Sequence, residues 1–213
     1  MREPSDLHLL GAGEHAAVVA DALGDGWRLA GCWGDDRGLD LAVLGSEDDL
    51  GERVRRYADQ HFHLAFVGRP GSTIRRAAAE RWSARGLRWA TVIHPRAMVS
   101  SAARIGAGCF IGPGAIVNRG AVLGDHVVIN SGAIVEHDVE VGDGTHLAPA
   151  AVVGGGARIG VWASLGMGCR VRDHVTLGEG VLVAMGAVVI SELSAGARVA
   201  GVPARLMSGK GEA

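Results

Sequence analysis

One short segment of the sequence has residue types and spacing suited to acid–base chemistry. Residues 135–146 read VEHDVEVGDGTH, so that His137 stands between Glu136 and Asp138, and His146 follows nine residues later. A carboxylate next to an imidazole can fix the tautomer of the ring and raise its basicity, as a general base requires. The alternative is a polar turn without a catalytic role, and the structure that carries the segment decides between the two.

That structure is indicated by a repeat of six residues over positions 99–189. Each block ends in Ile, Val or Leu, and a small or β-branched residue stands two positions earlier. This period fits neither an α-helix nor an alternating strand, and it is typical of a hexapeptide β-helix, in which three blocks form one triangular coil. Cys109 and Cys169 take the small inward position, which predicts a packing role. Several of the nine histidines, such as His126 and His174, are expected at exposed turns.

Positions eighteen residues apart stack on successive coils of such a prism. Gly155 therefore lies beside His137, where a glycine leaves room for a ligand and exposes a backbone N–H. His146 is half a coil from His137, so the two can meet only between neighbouring prisms. A site that uses both is predicted between subunits, and one site at each seam predicts a homotrimer. Trp162 is expected to point outward and to pack at that seam, with a position lining the groove between prisms as the alternative.

Bulk properties limit the class of protein. The chain has 213 residues, a hydrophobic fraction of 48% and a net charge of −2, which gives no sign of binding to nucleic acid or to a membrane surface. No apolar run approaches the roughly 20 residues of a membrane span, and the first residues lack a signal-peptide core. The three cysteines lie far apart and predict neither disulfides nor a metal site. A cytoplasmic location is expected.

Strands and helices alternate in residues 1–95, which predicts an α/β domain with a small, Rossmann-like parallel sheet. The segments LHLL, WRLAGCW, HFHLAFVG and RWATVIHP are the predicted strands. A helix after the third of them carries Arg75 and Arg76, which are expected to be solvated. The β-helix is predicted to occupy the second domain, residues 96–213. Its last residues, around Pro203, are expected to cap the coils or pack beside them, and the end of the chain is expected to fray.

A glycine turn, GAGEHA at residues 11–16, follows the first strand. It lacks the third glycine of a dinucleotide fingerprint and is therefore a weak signal for NAD. The carboxyl ends of parallel strands meet at one rim of a sheet, and N–H groups at a helix start favour a phosphate. The rim is predicted to bind a nucleotide-linked ligand, with a purely structural turn as the alternative. Its residues at the ends of the first three predicted strands are Gly11, Gly13, Asp35, Asp36 and Gly68.

Three segments, LLGAGEHA, NSGAIVEHDVEVGDGTHLAPAAVVGGGARIG and AGVPAR, resemble a family of bacterial sugar acyltransferases. This family includes sialic acid O-acetyltransferases and the N-acetyltransferases of bacillosamine and perosamine synthesis. The resemblance covers nearly the whole chain in the same domain order. It implies a left-handed β-helix, a homotrimer with active sites between subunits, acetyl-CoA as co-substrate, and a nucleotide-activated amino sugar bound by the N-terminal domain.

The resemblance also implies a role for individual residues. His137 corresponds to the general base and Asp138 to its acidic partner. His146 corresponds to a contact of the thioester region, and Gly155 to a backbone donor for the thioester carbonyl. Met167 and Met185 complete the predicted coenzyme-binding set, and no metal is expected. The predicted nucleotide-binding residues are Gly11, Gly13, His15, Asp35, Asp36, Gly68 and Arg69.

The predicted reaction is direct acetylation of a sugar amine, without an acyl-enzyme, because no cysteine or serine is placed as a nucleophile. The alternatives are acetylation of a sugar hydroxyl, a β-helix scaffold without catalysis, and an NAD-binding regulatory protein. Two rim residues depart from the family pattern. Glu14 stands where glycine is usual, and Arg69 stands where Asn or Asp is common. The identity of the bound nucleotide (UDP, GDP or dTDP) therefore stays open.

Overall fold

The computed structural model of the protein describes residues 3–207. The first part of the chain forms a five-stranded parallel sheet in the order β3-β2-β1-β4-β5. Its strands are β1 Ser5–Leu10, β2 Trp27–Trp33, β3 Val43–Gly45, β4 His61–Leu64 and β5 Arg88–Trp89. The helices are α1 Glu14–Asp21, α2 Glu47–Arg53 and α3 Ile74–Ser83, and a 3₁₀-helix spans Val54–Tyr57. Strand β3 and helix α2 are not among the elements predicted from the sequence.

Helix α2 begins with hydrogen bonds between two residues that are close in the sequence. The Ser46 side chain accepts from the N–H of Asp49, and the Asp49 carboxylate accepts from the N–H of Ser46. This reciprocal capping box satisfies donors that a helix start leaves free. A single buried residue, Leu50, anchors the helix to the core, so its apolar pattern is too weak to reveal it.

The predicted fourth strand is divided between two sheets. Residues Arg88–Trp89 form the edge strand β5, whereas Val92–Ile93 form the first strand of the second part of the chain. Only Ala90 and Thr91 separate them. The chain thus passes directly from one sheet to the other, and a short connection restricts how the two parts can be arranged.

The second part of the chain is a parallel β-helix with three faces. Val128 pairs with His146 and His146 pairs with Ser164, a step of eighteen residues. The docking face consists of Val92–Ile93, Phe110–Ile111, Val128–Ile129, His146–Leu147, Ser164–Leu165, Leu182–Val183, Arg198–Ala200 and Arg205–Leu206. The apolar face consists of Met98–Val99, Ile116–Val117, Ile134–Val135, Val152–Val153, Arg170–Val171 and Val188–Val189. The polar face consists of Arg104–Ile105, Val122–Leu123, Glu140–Val141, Arg158–Ile159 and Thr176–Leu177.

From Val99 to Val189, the second residue of each repeat strand points into the prism, where these aliphatic side chains form one continuous core. Cys109 and Cys169 are fully buried in it, in agreement with the packing role predicted for them. Burial raises the pKa of each of these thiols to about 12, which keeps them protonated and unreactive. The β-helix core therefore follows from the six-residue pattern alone.

The corners of the prism place residues in the left-handed backbone region. Most corners use glycine there, but His126, Asp138, Trp162 and His174 have φ values between 55° and 58°. Each of these four side chains lies over a glycine one coil earlier: Gly108, Gly120, Gly144 and Gly156, respectively. A bulky corner residue thus needs a glycine eighteen positions before it, because a Cβ at that glycine would overlap the ring or carboxylate.

The tail closes the docking face. Arg198–Ala200 pairs in parallel with Leu182–Val183, and Arg205–Leu206 then pairs with it in the antiparallel direction. This agrees with the predicted packing of the tail on the last coils. Residues 208–213, part of the end that was expected to fray, lie outside the described residues.

The two parts of the chain pack against each other through the docking face. Phe110 and Val128 point outward from the β-helix and are fully buried in a cluster with Leu7, Leu9 and Ala16 of the first part. Burial of this apolar surface stabilises one arrangement of the sheet and the prism. The arrangement decides which candidate site residues share a surface.

Candidate functional site

His137 and Asp138 occupy a corner of the prism between the apolar and polar faces. The protonated Nδ1 of His137 donates to Oδ2 of Asp138 over 3.1 Å, and the His137 side chain is 62% exposed. The other flanking acid, Glu136, instead accepts from Nδ2 of Asn118 at 2.9 Å. Asp138 is therefore the acid that orients the imidazole, and Nε2 is left as the basic nitrogen.

Gly155 lies under the His137 ring on the next coil. A Cβ at Gly155 would lie 2.6 Å from both Cε1 and Nε2 of His137, so no other residue fits without moving the ring. Among the described residues, the N–H of Gly155 has no hydrogen-bond partner, whereas its neighbours Gly154 and Gly156 donate to Val171 and His137. The basic nitrogen thus lies beside a buried glycine whose N–H has no partner in the described part of the chain.

His146 lies on the docking face, on a different side of the prism from His137, as the coil spacing predicts. It is half-buried, and Nδ2 of Asn130 lies 3.5 Å from its Nε2. Burial lowers the pKa of His146 to about 3, and the charge of Arg75 and the proximity of His15 add to the effect. The ring is therefore neutral at physiological pH. One chain does not bring the two predicted histidines together.

The predicted rim forms where β1, β2 and β4 end side by side. The N–H of Gly11 donates to the Trp33 carbonyl at 2.7 Å, and the N–H of Ala65 donates to the Leu10 carbonyl at 2.8 Å. Gly11 has a φ of 105°, a conformation that favours glycine. Gly13 starts helix α1 without a side-chain cap. These features leave backbone N–H groups of the turn open at the rim.

Charged residues surround this turn. Asp35 and Asp36 are exposed after β2, and Asp36 accepts from the N–H of Gly38 at 2.8 Å. Glu14 is exposed in the first turn of α1. The side chain of Arg37 reaches the turn, since a Cβ at Gly13 would lie 3.9 Å from its Cδ. Arg37 was not predicted as a rim residue, although its position next to the two aspartates could have indicated it.

His15 faces the β-helix rather than open solvent. Its ring packs edge-to-face on Phe110 with 5.3 Å between centroids, and its buried Nε2 has no partner within residues 3–207. Burial lowers the pKa of His15 to about 4, with a further contribution from Arg75. His15 therefore links the glycine turn to the docking face that carries His146.

A cavity of about 190 Å³ opens between the loop after β4 and the β-helix. Gly68 has a φ of 78° and, with the exposed Arg69, belongs to this loop. The cavity lining includes Gly68, Arg69, Arg75, His146, Trp162 and Ser164. The structure thus brings two predicted rim residues next to the predicted coenzyme residue His146 within a single chain.

Two solved structures are similar to the whole chain. The acetyltransferase domain of PglB from Neisseria gonorrhoeae is 33% identical, with a TM-score of 0.85, over 95% of this chain and 99% of that chain. PerB from Caulobacter crescentus, solved with CoA and GDP-perosamine, is 31% identical, with a TM-score of 0.88, over 96% and 98% of the two chains. The chain belongs to the sugar acyltransferases of the left-handed β-helix hexapeptide family.

Other comparisons agree with this sugar acyltransferase fold. WeeI from Acinetobacter baumannii, at 21% identity and a TM-score of 0.75 over 95% of this chain and the whole of that chain, shares the fold. The family described as the GMPPB C-terminal domain matches residues 93–194. No curated protein matches the chain. The sequence-based family assignment is thereby confirmed, and the prism of this acyltransferase is left-handed.

Two expectations about this acyltransferase are wrong, and both concern the docking corner, which carries His126, Gly144 and Trp162. Arg75 is buried rather than solvated, and only Arg76 is exposed. His126 is buried rather than exposed, because Trp89 packs edge-to-face on it at 4.7 Å. Trp162 packs against the first part of the chain and lines the cavity, and its position at a seam between subunits stays a prediction. The exposure predicted for His174 is confirmed.

Met167 and Met185 lie one coil apart at the corner between the docking and apolar faces. Both are exposed, with 52% and 70% of their surface accessible. Exposed methionines are adaptable apolar contacts for a ligand or a neighbouring subunit. They lie away from the His137 corner of the same chain, and their assignment to the coenzyme site stays a prediction.

The acyltransferase shows no cluster of three or more potential metal ligands among residues 3–207. Within the same residues, none of the helices has the length and apolar character that crossing a bilayer requires.

Proposed function

We propose that the chain transfers an acetyl group from acetyl-CoA to the amino group of a nucleotide-linked 4-amino-dideoxy sugar. Two relatives support this proposal: the PglB domain has been solved with acetyl-CoA at 32% identity, and PerB with CoA and GDP-perosamine at 31%. The observation that carries the proposal is the His137–Asp138 pair beside the free N–H of Gly155. A base and an oxyanion donor at one exposed corner are what acyl transfer requires.

The geometry gives each of these residues a role. Acetyl-CoA supplies the thioester carbonyl that the sugar amine attacks. Nε2 of His137 takes a proton from the amine as the C–N bond forms, and Asp138 holds the ring and stabilises its charged form. The N–H of Gly155 donates to the carbonyl oxygen, where negative charge develops; such a donor contributes about 3 kcal/mol. When the C–S bond breaks, the imidazolium returns the proton to the thiolate.

The side chains at this corner fit a thioester group. Gly155 lacks the Cβ that would displace His137, and the imidazole packs directly over this glycine. His146, Met167 and Met185 are proposed to contact the coenzyme from the neighbouring subunit, because within one chain they lie on other sides of the prism. No nucleophilic cysteine is available, since Cys32, Cys109 and Cys169 are buried. Direct transfer without an acyl-enzyme is therefore the proposed route.

We further propose that residues 1–95 form a Rossmann-like domain that binds the nucleotide sugar, and that residues 96–213 form the acyltransferase domain. The strand order of the parallel sheet and the converging ends of β1, β2 and β4 support the first part. The proposed nucleotide-binding residues are those predicted from the sequence, from Gly11 to Arg69, with Arg37 added. We also propose a cytoplasmic location, which rests on the sequence alone.

A homotrimer is proposed because a single chain leaves the site incomplete. The apolar face exposes an outward row of Met98, Ile116, Ile134, Val152 and Val188, with Arg170 as its one charged residue. Packing of this face around a threefold axis would place the His137 corner of one subunit near the docking face of the next. Burial of the row would supply the apolar area that association requires.

A thiol-release assay tests the proposed function. The purified chain is given acetyl-CoA and a panel of nucleotide-linked 4-amino sugars, with the matched 4-hydroxy sugars as controls. We expect thiol release with at least one amine and none with its hydroxyl counterpart, and mass spectrometry should place the acetyl group on nitrogen. Transfer to a hydroxyl would show O-acetylation instead, and the absence of release with every acceptor would favour a non-catalytic scaffold.

A further inference from the structure

Two backbone carbonyls at the docking corner take no part in the hydrogen bonds between successive coils of the described chain. At this corner the N–H of Gly144 donates to the Asp125 carbonyl, and the N–H of Trp162 donates to the Asp143 carbonyl. The carbonyls of the corner residues His126 and Gly144 accept no backbone hydrogen bond in the described part of the chain. Buried carbonyls need a donor, and helix α3 covers this corner.

Arg75 in the first turn of α3 supplies that donor. Its Nη2 donates to the His126 carbonyl at 2.7 Å, and its Nη1 donates to the Gly144 carbonyl at 3.3 Å. The residue is only 3% exposed. Burial lowers the pKa of Arg75 to about 10, so the guanidinium stays charged at neutral pH. The planar fork of an arginine can bridge carbonyls on two successive coils, whereas a lysine offers a single point charge.

Arg75 connects the two walls of the inter-domain cavity: its backbone belongs to α3, and its guanidinium contacts the β-helix. The loop at residues 67–73, which contains Gly68 and Arg69, leads directly into α3. On the other side, Gly144 precedes His146 by two residues, and both line the cavity. A buried and rigid contact at this point fixes the separation between the proposed nucleotide rim and His146.

We propose that Arg75 is a positioning residue that locks the N-terminal domain onto the docking corner and thereby presents the acyl acceptor to the site containing His146. This inference rests on the proposed function. Arg75 itself touches neither the reacting atoms nor the coenzyme, so its removal should affect the acceptor more than acetyl-CoA. A residue needed only for folding would affect both substrates equally.

The neighbouring Arg76 offers a matched control. It is exposed, pairs with Glu80 at 3.0 Å and with Glu179 at 2.9 Å, and lies 5.9 Å from the centre of the Trp162 ring. Exposed ion pairs of this kind contribute little to stability. Arg76→Met therefore removes an arginine of the cavity lining and its exposed ion pair to the β-helix residue Glu179, but it keeps the buried contact to the corner carbonyls, so its acceptor kinetics should change much less than those of Arg75→Met.

The test compares Arg75→Met, Arg75→Lys and Arg76→Met in the full chain, by steady-state kinetics and by hydrogen exchange. For Arg75→Met we expect kcat/KM for the acceptor to fall roughly ten- to hundredfold, as for lost hydrogen bonds to a charged group, with the KM for acetyl-CoA unchanged. Arg75→Lys should recover only a small part of the loss. If the methionine variant does not fold, the lysine variant takes its place in the test. Unchanged acceptor kinetics in both variants, or equal changes for both substrates, would overturn the proposal.

Hydrogen exchange tests the role of Arg75 independently of the proposed acetyltransferase activity. If wild-type protein acetylates no acceptor, the proposed function fails, and Arg75 is judged by exchange alone. We expect faster exchange at residues 68–73 and 143–147 in Arg75→Met, with unchanged rates at residues 134–141. Unchanged exchange at 143–147 would show that Arg75 does not hold the two domains together.

Discussion

The imidazole of His137 covers Gly155, so that a methyl group added at Gly155 would lie 2.6 Å from two ring atoms. The backbone at Gly155 is outside the left-handed region, and alanine would therefore be tolerated by the chain but not by the ring. The same glycine holds the free N–H proposed to stabilise the oxyanion. The histidine and the donor thus form one unit across two coils.

Gly155→Ala should abolish most of the activity without unfolding the prism. The added methyl group has to displace the His137 ring and also crowds the N–H donor, so we expect kcat to fall about a hundredfold or more. The measurement is steady-state thiol release, with thermal unfolding as the check on stability. Gly26→Ala is the control, because a Cβ there meets nothing within 4 Å. Full activity in Gly155→Ala would contradict the proposed arrangement.

His137→Ala should reduce transfer by roughly 10²–10⁴, the usual contribution of a general base. Asp138→Asn should cause a smaller loss, because the His137 base remains while the hydrogen bond that fixes its tautomer is weakened. His174→Ala is a matched control: His174 is also an exposed corner histidine lying over a glycine, Gly156, and no ion pair to a carboxylate is found for it in the described chain. Equal losses in His137→Ala and His174→Ala would argue against a specific base.

The sequence predicts the β-helix well because one aliphatic residue per six is a strong and local signal. It predicts the His137–Gly155 contact for the same reason, since eighteen residues make one coil. The sequence also contains a signal for the corners. Glycine alternates with a bulky residue at the stacked positions 108, 126, 144, 162 and 180. That alternation marks bulky corner residues that a neighbouring element can cover.

Burial of Arg75 could not be predicted in this way. The residue lies in a short helix with an ordinary surface composition, and only the docking of that helix on the prism removes it from water. The same tertiary contact buries His126 and encloses His146, so all three environments follow from one packing event. Helix α2 was missed because its capping box lies in a weakly apolar segment, where local hydrogen bonds rather than periodicity decide the structure.

Acid should weaken this interface. Burial, reinforced by Arg75, lowers the pKa of His15 and His126 to about 4 and that of His63 and His146 to about 3. Because the unfolded chain binds protons from about pH 6.5 and the folded chain does not, the stability present above pH 6.5 is lost as the pH falls towards 4. The thermal midpoint should therefore drop steeply across that window.

Asp125 and Asp143 oppose the lowering of the His126 pKa, whereas the charge of Arg75 adds to the lowering for all four histidines. Arg75→Met should consequently reduce the slope of stability against pH, because the histidine pKa values move back towards 6.5. Calorimetry of the wild type and the variant between pH 7 and pH 4 measures both slopes. A wild-type midpoint that stays constant over this range would show that the cluster is not buried as described.

Glu14 should weaken nucleotide binding. It places a carboxylate in the first turn of α1, where the helix dipole favours an anion and a phosphate is proposed to bind. Glu14→Gly should tighten nucleotide diphosphate binding about two- to fivefold, the effect of one charge near a helix terminus, and the gain should shrink at high salt. Arg37→Ala should act in the opposite direction, and calorimetric titration measures both. Weaker binding by Glu14→Gly would mean that the phosphates lie elsewhere.

Two inactive variants should restore activity when they share a trimer. His137→Ala and His146→Ala each remove one half of the proposed intersubunit site, and in mixed trimers some interfaces combine the intact His137 of one subunit with the intact His146 of the next. Random assembly at equal amounts makes roughly a quarter of all interfaces intact, given one site at each seam of a closed ring. Co-expressed and jointly purified variants should therefore show about that fraction of wild-type turnover.

The control for this complementation is the double variant, in which both substitutions lie in the same chain. Mixed with wild type at equal amounts, it forms intact interfaces only between two wild-type subunits, which is again roughly a quarter by random assembly. Mixing two separately assembled and purified variants should restore nothing until their trimers exchange subunits. If the co-expressed single variants stay inactive and the wild-type mixture shows about half of the wild-type turnover instead of a quarter, as random assembly predicts for sites within single chains, His137 does not work with the His146 of a neighbour.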